Sequence, residues 1–365
     1  MLNAGYVDCG GSQVDAKLNV GMTGLIRARA PLRLGLAGGG TDVSPYCDDF
    51  GGAVLNVTID RFAFATVRPR DDGMVSFTAA DTGETELIKA DVALPTEAGL
   101  RLHRGTYNRI VAGYNHGRPL AIDLITHVDS PRGSGLGSSS ALVVAMVQAL
   151  AEHVRAPLGE YEAAHLAFEI ERRDLMLNGG RQDQYAAAFG GFNYIEFRPG
   201  DQVLVNPLRL KSPIVHELEA SLLLYYTGAS RDSSRIIDQQ SAALSGGGGA
   251  MEAMHRLKAQ ALAMKEALLL GRFDLVSDLL NESWEAKRAT WEGVSNPLLE
   301  QVIATGMANG ATAAKVSGAG GGGFVMFLCD PTRRIPLTRA LVEAGGGDPM
   351  FCQFTREGAT AWRVR

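Results

Sequence analysis

The chain has 365 residues, enough for one large domain or two closely joined ones, and 46% are hydrophobic, which supports a sizeable core. Its 35 basic and 40 acidic side chains give a net charge of −5, and no basic run gathers them, so neither nucleic acid nor a membrane surface is favoured as a partner. Four dispersed cysteines (Cys9, Cys47, Cys329 and Cys352) form no CxxC pair and the histidines are equally scattered, which argues against a disulfide framework or metal cluster and for reduced thiols in a cytoplasmic protein.

Met1 to Gly21 has no hydrophobic period and lacks the charged-then-apolar layout of a signal peptide, so 1–24 is expected to be a disordered extension. Leu25 to Leu36 alternates apolar with polar or basic residues, as a half-exposed strand does, and runs into a first glycine loop, Gly38-Gly39-Gly40, followed by Thr41-Asp42. Ala53 to Arg68 is β-branched and aromatic and predicts a long strand. Asp71-Asp72-Gly73 reads as a hairpin turn with Met74 to Thr78 returning, so the first part is expected to be antiparallel. Leu102 to Asn115 predicts a helix and Leu120 to Val128 a strand.

That strand feeds the most informative stretch, Pro131 to Val154. Gly133, Gly135 and Gly137 alternate with Ser134 and Leu136, then Ser138, Ser139 and Ser140 open an unbroken apolar run. The run predicts a buried helix, and Ala141 to Leu150 is too short to span a membrane. Glycines let backbone N–H groups crowd an anion, and a helix start adds orphan donors and a positive dipole end. Together they make a phosphate cradle, with a first-turn serine in reach of a Mg²⁺ that bridges phosphate oxygens. A Walker A loop would need a lysine before its serine, and a Rossmann turn a glycine where Ser138 stands; neither fits. The same composition also caps ordinary core helices, so the rest of the chain must decide.

Glu160 to Leu177 predicts a helix with Glu169, Glu171, Arg172 and Arg173 on a charged face, stopped by Asn178-Gly179-Gly180. Asp183 lies between that stop and a small-residue helix, Tyr185 to Phe189; Phe192 to Phe197 predicts a strand. From Pro207 the second half follows: a strand at Ser221 to Thr227, a segment carrying Ser230, Arg231, Ser233 and Arg235, and a glycine run at 246–249. Helices are predicted at Met251 to Leu270, Phe273 to Trp291 and Pro297 to Ala308. A third glycine loop, Lys315 to Gly323, runs into a strand at Phe324 to Leu328. Gly318, Gly320 and Gly323 satisfy GxGxxG by count, but with the helix before and the strand after, the reverse of a dinucleotide unit. Phe351 to Thr355 and Trp362 to Arg365 read as closing strands.

In order and spelling the three loops resemble the GHMP kinase superfamily: GSGLGSSSA is similar to its ATP motif, KVSGAGGGG to its C-terminal motif, and Pro31-Leu32-Arg33 through Gly40-Thr41-Asp42 to the sugar-kinase form of its first motif. PLRLGLAGGGTDVSPYCDDFGG, GEYEAAHLAFEIE, ERRDLMLNGGRQDQYAAAFGGFN and LEASLLLYYTGASRDSS resemble the D-glycero-D-manno-heptose 7-phosphate kinases within it. The resemblance implies an α+β fold, with an N-terminal ribosomal-protein-S5-like domain over 25–206, a C-terminal ferredoxin-like domain over 207–365, and ATP and a sugar phosphate in the cleft between them. It leaves a homodimer open. It implies transfer to the anomeric hydroxyl, with another sugar such as L-fucose, or a non-catalytic sugar sensor, as alternatives.

The same resemblance implies roles. Asp183 matches the catalytic aspartate, and Arg33 the arginine that orients it or lowers the hydroxyl pKa. Gly133, Ser134, Gly135, Leu136, Gly137, Ser138, Ser139 and Ser140 match the ATP loop. Ser139 and Glu171 match the Mg²⁺ ligands, with Ser138 and Ser140 able to exchange roles with Ser139, and with Glu169 as rival to Glu171. Thr41, Asp42, Gly180, Gly318 and Gly320 match the sugar side. For the distant phosphate of the sugar the residues offer a cluster, Arg231 and Arg235 with Ser230 and Ser233, that Lys315, Arg29 and Arg61 could join; Arg231 leads and Lys315 is second.

Overall fold

The computed structural model describes residues 24–228, 233–245 and 248–365, the side chains of 233–235 and 243–245 excepted. The extension read over 1–24 thus lies outside the described residues save for Gly24, and so does Arg231.

The first of two sheets has eight strands. Strand β1 (Ile26–Ala37) pairs antiparallel along nearly the whole of β2 (Gly52–Pro69), and the short helix α1 (Tyr46–Phe50) lies between them in sequence. On its other side β2 divides: its first half pairs β6 (Phe192–Arg198), which pairs β7 (Gln202–Pro207), and its second half pairs β5 (Ile122–Val128). Beyond β5 lie β3 (Met74–Ala79) and β4 (Glu84–Lys89). Helices α2 (Arg101–Tyr114), α3 (Ser138–Val154), α4 (Glu160–Glu169) and α5 (Gln182–Phe189) cover the sheet, with α3 packed on β1 and β2 and against the other three helices. Its Val143, Val144, Met146, Val147 and Leu150 are completely buried, which explains an apolar run with no polar stripe.

The second sheet is four-stranded, ordered β11-β8-β10-β9, with β8 at Leu222–Tyr226, β9 at Ala311–Val316, β10 at Phe324–Cys329 and β11 at Asp348–Met350. Numbered within that sheet the order is 4-1-3-2 with every pair antiparallel, the ferredoxin-like arrangement that the resemblance implies. Helix α6 (Ser212–Ser221) precedes it, and α7 (Ser233–Ser245), α8 (Gly249–Leu270), α9 (Phe273–Arg288) and α10 (Pro297–Ala308) fill the connection from β8 to β9. Helix α11 (Arg334–Ala344) leads to β11. The final strand β12 (Thr360–Arg363) then returns to the first sheet and pairs with β1.

Four local readings need correction. The turn at Asp71–Gly73 does not make a hairpin: the place beside β2 is taken by β5, so β3 lands beyond it and pairs with β5 in parallel. The alternation of β1 holds only to Arg29; from Ala30 to Leu34 every residue is buried, because both faces are covered there. The third glycine loop closes a β9–β10 hairpin, so a strand also precedes it. Phe351 to Thr355 is no strand but contributes one bridge, Phe354 to Ile59.

Candidate active site

The three glycine loops meet. A Cβ on Gly135 would lie 2.5 Å from the Ser317 carbonyl oxygen, and one on Gly318 2.6 Å from the Gly135 Cα, so the middle and third loops touch backbone to backbone. Ser317 Oγ donates to the Gly135 carbonyl at 2.9 Å, and the Phe324 N–H to that of Ser134 at 3.1 Å. The first loop closes the remaining side of a cleft of about 470 Å³ whose walls include Gly40, Gly133, Gly135, Gly137, Gly318 and Ser138 to Ser140. Gly137 begins α3 at φ 74°, a left-handed conformation suited to glycine, and no side chain caps the helix, which leaves its first N–H groups for an anion.

Asp183 stands in the first turn of α5, beside that helix start. Arg33 in β1 is 5% exposed and grips Asp183 Oδ1 through Nε at 2.8 Å and Nη2 at 2.7 Å, while its Nη1 donates to the Gly135 carbonyl at 2.6 Å. Both contacts to the carboxylate fall on Oδ1. Oδ2 stands against Gly137, where a Cβ would sit 3.3 Å away.

Asp42 supports this arrangement from behind. It is 1% exposed. Its Oδ2 accepts the N–H groups of Arg181 at 3.0 Å and Gln182 at 3.1 Å, so a side chain of the first loop caps α5 in space. Its Oδ1 accepts the Gly40 N–H at 3.1 Å and Gln182 Nε2 at 3.2 Å. Gly180 must be glycine, since a Cβ there would fall 1.8 Å from Asp42 Oδ2. With four N–H donors taken, Asp42 positions the helix that carries Asp183, and it also lines the cleft.

The α4 helix ends in a π-turn, Ile170–Asp174, whose extra residue re-aims the following side chains. Glu171 lines the cleft and is 2% exposed, whereas Glu169 turns outward to Arg109 at 3.2 Å and Arg173 at 2.7 Å. Gln184 Nε2 joins Glu171 Oε2 at 2.5 Å to Ser140 Oγ at 3.1 Å, and Gln184 Oε1 is buried without a partner. Ser140 is buried, Ser138 half-buried and Ser139 exposed at the cleft wall.

Other expected site residues lie elsewhere. Ser134 and Leu136 are fully buried and turn from the cleft; Leu136 contributes only its carbonyl, which accepts the Arg33 N–H at 3.0 Å. Thr41 is wholly buried, and its one hydroxyl proton is shared between the carbonyls of Gly38 at 2.8 Å and Ala53 at 2.9 Å, so it ties the loop to β2. Gly320 packs on the turn at Val294, where a Cβ would lie 2.6 Å from its carbonyl oxygen. Lys315 is 3% exposed and donates to the carbonyls of Gly35 at 3.0 Å and Leu36 at 2.9 Å; burial holds its pKa well below the usual lysine value, aided by Lys287 and Arg33. It staples β9 to β1 and does not line the cleft. Arg29 pairs with Glu357 at 2.6 Å, and Arg61 donates to the Phe351 carbonyl at 3.0 Å, both away from the site. The backbone of Ser233 starts α7, but its side chain and Arg231 lie outside the described residues.

Three cations of the wall, Arg132, Arg172 and Lys287, are not marked as site residues by the sequence. Arg172 holds the 177–180 loop through the carbonyls of Leu177 at 3.3 Å and Gly180 at 3.2 Å. Lys287, near the end of α9, is 4% exposed and donates to the Gly318 carbonyl. Burial, with Arg33 adding to it, lowers its pKa to about 8, while Asp42 and Asp183 oppose the shift. Nothing in the sequence of an amphipathic helix singles out that lysine. Gln184, one residue from Asp183, is the one position a closer reading of QDQ would have found.

Comparison with known proteins identifies the family of the chain. Residues 101–191 match the GHMP kinases N terminal domain, and residues 264–347 the GHMP kinases C terminal domain. A D-glycero-alpha-D-manno-heptose 7-phosphate kinase of Campylobacter jejuni is 45% identical over 93% of this chain and 99% of its own length. A crystal structure described as a D-glycero-D-manno-heptose 1-phosphate kinase from Bacteriodes thetaiotaomicron superposes with a TM-score of 0.79 at 41% identity, covering 93% of this chain and 99% of that one. A more distant relative, the L-fucokinase/L-fucose-1-P guanylyltransferase of Bacteroides fragilis, is 26% identical over 90% of this chain but only 37% of its own length. Identity at that level over nearly the full length, together with both domain matches and the three converging glycine loops, places the chain in the GHMP kinase family.

Proposed function

We propose that the chain transfers the γ-phosphoryl group of ATP to the anomeric hydroxyl of D-glycero-D-manno-heptose 7-phosphate, giving the 1,7-bisphosphate and ADP, in the cytoplasm where ATP is supplied, as a step toward nucleotide-activated heptose. The observation that carries this reading is the 45% identity to the Campylobacter jejuni heptose 7-phosphate kinase over 93% of this chain. No helix among the described residues is long and apolar enough to cross a membrane. In this reading 25–206 holds the triphosphate and 207–365 closes over it. The open N–H groups at the start of α3 receive the phosphates. Asp183 Oδ2 takes the proton of the hydroxyl as its oxygen bonds to the γ-phosphorus and the bond to the β–γ bridging oxygen breaks. Arg33, by gripping Oδ1, keeps Oδ2 turned to the acceptor.

Glu171 and a hydroxyl of the Ser138–Ser140 run fit Mg²⁺. Among the described residues no group of three or more His, Cys, Asp or Glu side chains is gathered for a metal, and one carboxylate with a hydroxyl suits an ion that takes its other oxygens from phosphate and water. When bound, Mg²⁺ neutralises charge on the β- and γ-phosphate oxygens. Glu171→Gln is expected to raise the Mg²⁺ concentration for half-maximal rate about tenfold, with the KM for the sugar phosphate little changed. Superimposable Mg²⁺ titrations of variant and wild type would remove Glu171 from the metal site.

For the 7-phosphate, Arg231 and Ser233 remain the proposed partners. They lead into α7, whose Ile237 and Gln240 line the cleft and whose Asp238 is held by Asn178 at 2.6 Å. Initial rates with heptose 7-phosphate, heptose 1-phosphate, free heptose and L-fucose test the reading. The 7-phosphate is expected to exceed free heptose in kcat/KM by about 10³-fold, because a cation built for the anion and left without it disfavours the lesser substrate. Equal efficiency on free and phosphorylated heptose would defeat this substrate assignment.

A further inference from the structure

The middle glycine loop lacks the lysine that a Walker A loop keeps among its phosphates. The fold supplies one from elsewhere. Lys287 comes from α9 in the second half of the chain, and its ammonium reaches the cleft between the first and third loops. Nζ donates to the Gly318 carbonyl and lies 3.8 Å from where a Cβ on Gly39 would be. Gly318 in turn rests on Gly135, whose carbonyl takes Arg33 Nη1. The lysine is thus linked through Gly318 and Gly135 to Arg33, which holds Asp183.

Its surroundings are those of a site awaiting negative charge. Lys287 has no carboxylate within ion-pair distance among the described residues, although it is 4% exposed. The charged groups facing it are Arg33 from β1, Asp42 from the first loop, Asp183 from α5 and Lys315 from β9. Where α8 packs on α9 the contact is apolar, with Met254 and Leu257 beside Ala286, and gives no counter-ion. Asp42 is occupied by four N–H donors, and Asp183 by Arg33. A buried ammonium with only a carbonyl partner is costly unless an anion joins it. In phosphoryl transfer the charge to be stabilised spreads over the equatorial oxygens of the moving group, and a fixed cation there lowers the barrier.

We propose that Lys287 is a catalytic residue of the transfer, its ammonium binding an oxygen of the phosphoryl group as that group passes between the helix start at Ser138 and the acceptor hydroxyl. It replaces in space the lysine that the middle loop lacks in sequence. The inference rests on the kinase reading above. The proton stays on the ammonium throughout, so the bonds made and broken are those already given.

Lys287→Met is expected to lower kcat about 10³-fold while the KM values for ATP and the sugar phosphate move less than about threefold, the split for an interaction made mainly in the transition state. Lys287→Arg, which keeps the charge, is expected to recover at least about tenfold of that loss. In the wild type, kcat/KM should fall as pH rises through about 8, where the free enzyme loses the ammonium proton. This limb should be missing in the methionine variant. Should that variant fail to fold, Lys287→Gln is measured in its place, and undiminished kcat in the folded glutamine variant overturns the proposal. Undiminished kcat in a folded Lys287→Met also overturns it, as does a loss confined to the KM of the sugar phosphate. A wild type inactive on every sugar phosphate tested sinks the kinase reading itself, and the inference falls with it; an active wild type beside an equally active Lys287→Met sinks the inference alone.

Discussion

Asp183→Asn is expected to lower kcat by about 10³-fold, the loss typical when a positioned general base is removed. The substitution keeps the shape of the side chain and its place in the first turn of α5. It replaces one carboxylate oxygen by an amide that cannot accept a proton. Arg33, gripping Oδ1 at 2.8 and 2.7 Å, would still find an amide oxygen there, so the local structure should persist. ATP binding is held by the start of α3 and the glycine loops, so its Kd should change less than about threefold. Single-turnover rates with isothermal titration of ATP check both halves. A variant that turns over near the wild-type rate would remove Asp183 from the role of base.

Asp42→Ala should act on both stability and rate. The buried carboxylate accepts the N–H groups of Gly40, Arg181 and Gln182, and each buried donor left without an acceptor costs about 1–3 kcal/mol. Allowing for water entering the space, a loss of about 3 kcal/mol in unfolding free energy is expected. The loss of the cap also frees the first turn of α5 and with it Asp183, so kcat should drop by about 10²-fold, since a displacement near 1 Å suffices for that. Asp42→Asn, which keeps one oxygen for the two α5 donors, should fall between. The measurements are the thermal midpoint and steady-state kinetics. A variant of unchanged midpoint whose only defect is a raised KM for the sugar phosphate would return Asp42 to the sugar side.

The two predictions show where sequence reading reached and where it stopped. Asp183, Arg33 and Glu171 were legible because family motifs name them, and the structure brings all three to one cleft. Thr41, Lys315 and Gly320 belong to motifs too, but a motif does not say which way a side chain turns. Thr41 and Lys315 spend their polar atoms on backbone carbonyls of β1, β2 and the first loop. Glu169 and Glu171 are separated by one residue, and only the π-turn settles which one faces the cleft.

The sequence by itself determined the elements whose signals are local. The glycine–serine loop and its buried helix, the long β2 strand and the three glycine loops follow from backbone permissiveness, period and unbroken apolar runs, which act within a few residues. Tertiary structure alone decided which strand lies beside β2, because β5 competes for that edge from more than fifty residues away. It alone made Asp42 the cap of a distant helix and carried Lys287 from α9 to the cleft. The reason is physical: a local pattern fixes a side chain's face on its own element, but its partners are set by how separate elements pack, and charge buried in that packing takes its meaning from groups far off in the chain.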